Sequence, residues 1–476
     1  MNIFETIRHE TADVTDKIAV IEGNDRLTYG QLLATADRIA GRLAKSGVEP
    51  FSRVGILCED SIDAIAASLA VLSLSTVVVP VPTAQADAEI NLALDRIDVH
   101  YLLFEEGTYG DRHAVPLGAG IFHRKKFLLL QRTVPAGPPR GYERMNPAFI
   151  RFSSGTTGTS KGVVLSHESI LERTNAADRG LRITAEDTVL WVLSMSFHFV
   201  VTILLFLRRG ATIVLCGHHF PGSLIEGLTR FAGTFIYASP FHYSVLAHSA
   251  ALPSDSFKNV RMAVSTAMKL PDTIAEAFSE KFGYELNEAY GIIEVGLPFI
   301  RLSGGGEKRG SVGTLLPDYK LRIDNQDAEG IGEIYLSGKG MLDAYYSPWQ
   351  DRESVLHDGW FKTGDLGKSD DDGFLTIVGR DRDVINYAGM KVFVQEVESV
   401  VNQYPHISES LVYGTAHPFL GQLPVAKIVL DDPSATNLDL NDLRKFCYQR
   451  LAQYKVPKDF ECVDALPKTA SGKIKR

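Results

Sequence analysis

Apolar residues spaced by three and four mark the first clear element of the chain. Between Gln31 and Lys45 they are Leu32, Leu33, Ala36, Ile39, Ala40 and Leu43, one stripe of an amphipathic helix that Leu27-Thr28-Tyr29-Gly30 leads into and Gly47 closes. Val54-Gly55-Ile56-Leu57 is then a short continuous apolar run, Ser61 to Leu74 returns to helical spacing, and Val77-Val78-Val79-Pro80 is a second run. Strands without a polar face are buried on both sides, so this strand, helix, strand order predicts a parallel sheet covered by helices. The alternation resumes at Ser166, a suitable N-cap with Glu168 in the first turn. His167 on that turn reads as a capping or packing residue. Further strands are predicted over Val189 to Leu193, Ala211 to Leu215, Thr234 to Ala238 and Arg261 to Ser265. From Gly310 to Ile323 and Gly332 to Ser337 the pattern changes to short β-rich pieces between glycines, a small barrel or meander closing the large domain. Charges cluster at Arg380-Asp381-Arg382-Asp383, which sets the expected domain boundary: 1–380 as the large domain and 381–476 as a compact α+β unit.

Composition narrows the classes. A chain of 476 residues, 45% of them hydrophobic, can bury a sizeable core. The net charge of −9, with acidic and basic residues interleaved, gives no electrostatic case for a nucleic-acid partner. Cys58, Cys216, Cys447 and Cys462 have no metal-binding spacing and read as buried small apolar residues in a reducing compartment. The first ten residues carry charges and lack a signal-peptide core. The apolar stretch Ala64 to Val81 is broken by Ser68, Ser73, Ser75, Thr76 and Pro80, and Phe199 to Leu207 is too short to span a bilayer. The expectation is a soluble cytoplasmic protein with no membrane insertion.

The candidate chemistry starts at Ser153-Ser154-Gly155-Thr156-Thr157-Gly158-Thr159-Ser160-Lys161-Gly162, between the apolar stretches Ala148-Phe149-Ile150 and Val163-Val164-Leu165. Glycines leave backbone N–H groups uncovered, hydroxyls donate hydrogen bonds and Lys161 adds positive charge. Phosphate is the natural guest. No Walker pattern occurs in the chain, which argues against an ordinary phosphate-loop kinase or ATPase. A second lysine-bearing piece, Pro467-Lys468-Thr469-Ala470-Ser471-Gly472-Lys473, lies at the far end.

Together with three segments between them, these pieces resemble the motifs of the adenylate-forming superfamily, which includes acyl- and aryl-CoA synthetases, adenylation domains of nonribosomal peptide synthetases and firefly luciferase. Tyr290-Gly291-Ile292-Ile293-Glu294 resembles the adenine-and-magnesium motif, Gly359-Trp360-Phe361-Lys362-Thr363-Gly364-Asp365 the ribose motif and Gly379-Arg380-Asp381-Arg382-Asp383 the interdomain hinge. The resemblance implies an α/β fold: a large N-terminal domain of two doubly wound α/β subdomains plus a small β-barrel, with a small mobile α+β C-terminal domain. It implies an ATP-dependent ligase that forms an acyl-AMP from a small-molecule carboxylic acid and passes the acyl group to CoA or a carrier-protein phosphopantetheine. Such a reaction brings two anions together in line, so positioning and positive charge are what the protein must supply.

By the same resemblance, the loop from Ser153 to Thr159 with Lys161 grips the phosphates, and Glu294 is the Mg²⁺ ligand. Tyr290 stacks on adenine with Gly291 beside it. Asp365 and Arg380 hold the ribose, Lys473 is the catalytic lysine of the first step, Arg382 stands at the hinge, and Lys391 borders the thiol tunnel. Phe197, His198, Phe199, Tyr237 and Ser265, with Phe241, are expected to line an apolar or aromatic acid pocket. His198 falls near the aspartate of α-amino-acid-activating domains and points away from an α-amino acid; a packed histidine is the equal alternative. The chain departs from the family pattern at Ser160, where proline is more usual, at Arg382, where aspartate or lysine is commoner, and at Ile293. Threonine is expected at this last position, and a hydrogen bond from its hydroxyl to a charged group is worth about 1.5–3 kcal/mol. A catalytically weakened nucleotide- or acyl-AMP-binding protein of the same fold is therefore the alternative reading.

Overall fold

The computed structural model describes residues 2–85, 87–110, 113–134, 137–152, 161–302, 308–380, 383–387, 390–417, 421–431, 438–451, 453–468 and 474–475, with the backbone alone at Ala88, Asn386, Met390, Lys391 and Gly421. They form two compact units, the larger holding the described residues up to 320 together with 337–361, the smaller those in 321–336 and from 362 onward.

Two sheets of nine described strands build the larger unit. In the first, the order is Gln350–Asp351, Ala344–Tyr345, Gly162–Ser166, Pro147–Phe152, Val77–Val81, Arg53–Leu57, Tyr101–Glu105, Phe127–Gln131 and Val115–Pro116. Its centre is parallel, Val54 lying opposite both Val78 and Tyr101. Every residue of Arg53–Leu57 is buried, as a continuous apolar run requires. In the second sheet the order is Thr314–Leu315, Gly296–Arg301, Asn287–Ile292, Met262–Ser265, Phe235–Ala238, Thr188–Trp191, Thr212–Leu215, Ile18–Glu22 and Asp25–Thr28. The four strands expected between Val189 and Ser265 are all present and mutually parallel where they pair.

Helix Tyr29–Lys45 buries all six apolar residues of the stripe read from the sequence, and Thr28 and Gln31 close a reciprocal capping box at its start. Helix Ile62–Ser73 is apolar all round, and everything from Ile62 to Leu72 is buried, Asp63 included. The Asp63 carboxylate accepts the backbone N–H groups of His123, Arg124 and Lys125 at 2.6, 2.9 and 2.8 Å, which is how a buried charge is tolerated. Ser166 caps helix His167–Leu181 as expected. His167 is a packing residue: it is fully buried, Nδ1 accepts the Ile3 N–H at 3.1 Å, and burial pushes its pKa down to about 4.

The β-rich run expected as a small barrel or meander forms a four-stranded sheet in the order Tyr319–Asp324, Gly332–Gly338, Phe361–Ser369, Leu375–Arg380. Most of it groups with the smaller unit, not with the large domain. The rest of that unit is a five-stranded sheet on which helix Val394–Val401 and helix Leu440–Tyr448 pack through Val397, Val401, Val412, Ile428 and Leu443. One expectation fails here: Cys58, Cys216 and Cys447 are buried, but Cys462, on the short strand Phe460–Cys462, is exposed.

Candidate active site

Strands Pro147–Phe152 and Gly162–Ser166 are antiparallel, with Phe152 opposite Gly162, so the hydroxyl-rich loop leaves one strand and returns to the other. Ser153, Ser154, Gly155, Thr156, Thr157, Gly158, Thr159 and Ser160 themselves lie outside the described residues, as do Arg382 and Lys473 and the side chain of Lys391. Lys161 is the first described residue after the loop. Its Nζ donates to Gln350 Oε1 at 3.2 Å and stands 4.5 Å from the centre of the Tyr345 ring. Tyr345 Oη in turn donates to Glu294 Oε1 at 3.2 Å. Burial, with the Glu294 charge adding to it, raises the Tyr345 pKa and keeps the phenol protonated as a donor. Two residues far apart in the sequence, Lys161 and Glu294, are thus joined through one tyrosine that the sequence reading did not single out.

Glu294 is held from behind. Its carbonyl accepts the Leu342 N–H at 2.8 Å. The fully buried Arg173, on helix His167–Leu181, donates from Nη1 to the Ile293 carbonyl at 2.9 Å and from Nε to the Gly340 carbonyl at 2.8 Å. Gly340 has φ +69°, and a Cβ there would stand 2.4 Å from the Arg173 backbone nitrogen, so only glycine lets the two segments meet. Tyr290 and Gly291 lie on strand Asn287–Ile292, and Tyr290 tilts against Phe299 at 6.3 Å. Gly291 has an internal reason for being glycine: its Cβ would fall 2.4 Å from the Gly296 carbonyl across the hairpin.

Arg151 is the last residue but one of strand Pro147–Phe152. Its Nη1 donates to the Phe197 carbonyl and its guanidinium lies 6.0 Å from the Phe197 ring centre. Burial lowers its pKa to about 10, and Glu294 is the carboxylate whose charge opposes that shift. An arginine in the otherwise apolar run Pro-Ala-Phe-Ile-Arg-Phe was the signal that could have found it.

Some of the residues expected to line an acid pocket meet one another. Tyr237 is buried and stacks on Trp191 at 6.2 Å, whose ring also meets His198 edge-on at 6.4 Å. Ser265, at the end of its parallel strand, is buried, and its Oγ has no hydrogen-bond partner among the described residues; nor has Trp191 Nε1. His198 ends helix Met195–His198, immediately before the π-helical turn Phe199–Ile203, a distortion that often accompanies functional sites. Phe199 stacks on Phe149 and, with Asp60, Cys58 and Met195, lines a small cavity of about 30 Å³. Phe241 does not belong to this group: it is 58% exposed and meets Phe220 and His242 instead.

In the smaller unit, Asp365 and Arg380 face each other across adjacent strands, Arg380 Nε lying 3.1 Å from Asp365 Oδ1. Thr363 Oγ1 accepts the Asp365 N–H at 3.0 Å. The pair is a carboxylate with an arginine beside it, and an ionised carboxylate has two oxygens that can accept hydroxyl groups.

Among solved structures, the o-succinylbenzoate CoA synthetase of Bacillus subtilis, in complex with its acyl-adenylate intermediate, matches with a TM-score of 0.86 and 24% identity, over 100% of this chain and 97% of that one. The fold is therefore that of the adenylate-forming enzymes, mixed α/β with a large N-terminal and a smaller C-terminal domain. The AMP-binding enzyme family matches residues 7–346, and the AMP-binding enzyme C-terminal domain matches residues 396–473. The chain belongs to the AMP-binding enzymes. It is 28% identical over 517 aligned positions to the naringenin synthase of Pestalotiopsis fici, covering 98% of this chain and 18% of that protein. It is 31% identical over 343 positions to a long-chain-fatty-acid–CoA ligase of Yersinia pestis, covering 69% of this chain and 60% of that protein. The chain thus spans less than two thirds of either relative's length. Among the described residues, no helix is long and apolar enough to cross a membrane.

Proposed function

We propose that the protein is an ATP-dependent carboxylic acid ligase that forms an acyl-AMP, releases pyrophosphate and passes the acyl group to a thiol, that of CoA or of a carrier-protein phosphopantetheine. The observation that carries this reading is the joining of Lys161 and Glu294 through Tyr345 at the mouth of the hydroxyl-rich hairpin. Family membership over both domains and the acyl-adenylate in the Bacillus subtilis synthetase support it. Lys161 and the loop 153–159 hold the β- and γ-phosphates, Tyr290 and Gly291 the adenine, and Asp365 with Arg380 the ribose. Lys473 supplies charge to the first displacement. Arg382 is the hinge between the domains 1–380 and 381–476, and Lys391 lies by the thiol path.

Glu294 suits Mg²⁺, for Oε2 carries no hydrogen bond among the described residues and a single carboxylate plus phosphate oxygens is the donor set that ion prefers. Bound there, the ion would offset phosphate charge; the protein's own part is to orient Glu294 through Tyr345, Leu342 and Arg173. The acid is a non-α-amino acyl or aryl acid, since Tyr237 and His198 meet the Trp191 ring in an aromatic group and His198 offers no carboxylate for an ammonium. We place the protein in the cytoplasm.

The test is pyrophosphate release with a panel of acyl, aryl and amino acids, with and without CoA. Release with apolar acids, and CoA-dependent thioester formation, are expected. A weakened nucleotide- or acyl-AMP-binding protein is the second reading, favoured by Ile293 alone; ATP binding without pyrophosphate exchange for any acid would establish it.

A further inference from the structure

Arg151 is a cation that its strand does not need. Its neighbours from Pro147 to Ile150 are all buried, and the hairpin register places Arg151 opposite Val163. The guanidinium leaves this apolar layer for the carbonyl and ring of Phe197, on the helix that also carries His198, and Glu294 is the carboxylate whose charge acts on it. Its Nε is buried and has no hydrogen-bond partner among the described residues. A buried guanidinium N–H left without an acceptor is costly unless an acceptor arrives with the ligand. The side chain next to Glu294, Ile293, brings no donor of its own.

We propose that Arg151 is a further catalytic residue of this site, donating from its unpartnered edge to the substrate carboxylate and the α-phosphate as they meet. The inference rests on the ligase reading above. In that step a carboxylate oxygen bonds to the α-phosphorus while the bond from that phosphorus to the bridging oxygen of the β-phosphate breaks. Pyrophosphate leaves with the electron pair, and no proton is transferred. Negative charge gathers on oxygens of two groups at once, and a planar guanidinium offers parallel N–H donors to such a pair where an ammonium offers a point charge. Arg151 thereby supplies the donor that Ile293 cannot.

The experiment compares wild type, Arg151→Met, Arg151→Lys and Arg151→Ala with an acid that the wild type turns over. Arg151→Met is expected to slow pyrophosphate release by about thirtyfold or more and to weaken binding of a non-reactive acyl-sulfamoyl adenosine by about tenfold in calorimetry. Affinity for adenosine, which lacks the α-phosphate, and the melting temperature should stay near wild type. Arg151→Lys should recover only part of the rate, and added guanidinium at millimolar concentration should restore Arg151→Ala where methylammonium does not. A wild-type rate and unchanged analogue affinity in Arg151→Met overturn the assignment, as does a parallel loss of adenosine binding and melting temperature, which would make the residue structural. A wild type silent toward every acid instead overturns the ligase reading and this inference with it.

Discussion

Isoleucine at position 293 is the sharpest local departure in the chain, and its surroundings decide what it costs. Its carbonyl is fixed by Arg173, so the backbone of the Glu294 segment does not depend on the side chain. If Arg151 donates to the α-phosphate as proposed, a hydroxyl at 293 is redundant. Ile293→Thr should then leave the adenylation rate within a few fold and cost about 0.5–1.5 kcal/mol of stability through lost packing; stopped-flow pyrophosphate release and urea titration measure the two. An acceleration of about tenfold or more, roughly 1.4 kcal/mol off the barrier, would show that the missing hydroxyl is a deficit. Lys161 and Glu294 were nominated from the sequence because motif chemistry marks single residues. Tyr345, Arg173 and Arg151 were not, because each works through partners more than 40 positions away that only the fold brings near.

At the level of elements, two loops depend on one side chain. Arg173 ties the segment of Ile293 to that of Gly340, and Arg173→Leu leaves both carbonyls without that donor. A stability loss of about 3–5 kcal/mol is expected in denaturant titration, with a raised magnesium requirement if the protein still folds. A second element is held by Asp60, whose Oδ2 accepts the Met195 N–H at 2.9 Å at the start of the helix carrying Phe197 and His198. Burial raises the Asp60 pKa to about 6, with Glu59 adding to the shift and Met195, His218 and Lys125 opposing it. The folded state therefore binds this proton more tightly than the unfolded chain does, so Asp60 withdraws stability as pH rises from about 4 to about 6 and keeps it withdrawn above. Asp60→Asn retains an acceptor for Met195 and should be more stable at pH 8 by about 1–3 kcal/mol, with a flatter stability profile between pH 4 and 6. A less stable variant at pH 8 would show that the charge on the helix start outweighs its desolvation. The amphipathic helix Tyr29–Lys45 and the parallel strands were readable because burial follows period. The four-stranded sheet was readable as β-rich, but its strand order was not, since Gly332–Gly338 pairs with a strand further along the chain.

At the scale of the whole molecule, the proposed reaction needs two chemistries from one chain, and Lys473 is the residue that separates them. In the proposed function charge from Lys473 serves only the in-line displacement, so Lys473→Ala should abolish acyl-AMP formation and leave thioester formation from supplied acyl-AMP within a few fold. Equal loss in both half-reactions, read by chromatography of acyl-CoA, would remove the assignment. The cysteines provide a way to follow the C-terminal half while this is done. Cys58, Cys216 and Cys447 are buried, and burial pushes their thiols up to about 12, about 12 and about 11. Cys462 alone stands exposed, on a strand of the smaller unit. A maleimide fluorophore will therefore attach to the native sequence at one known point, giving a built-in optical reporter on the domain that carries Lys473 without a single engineered residue.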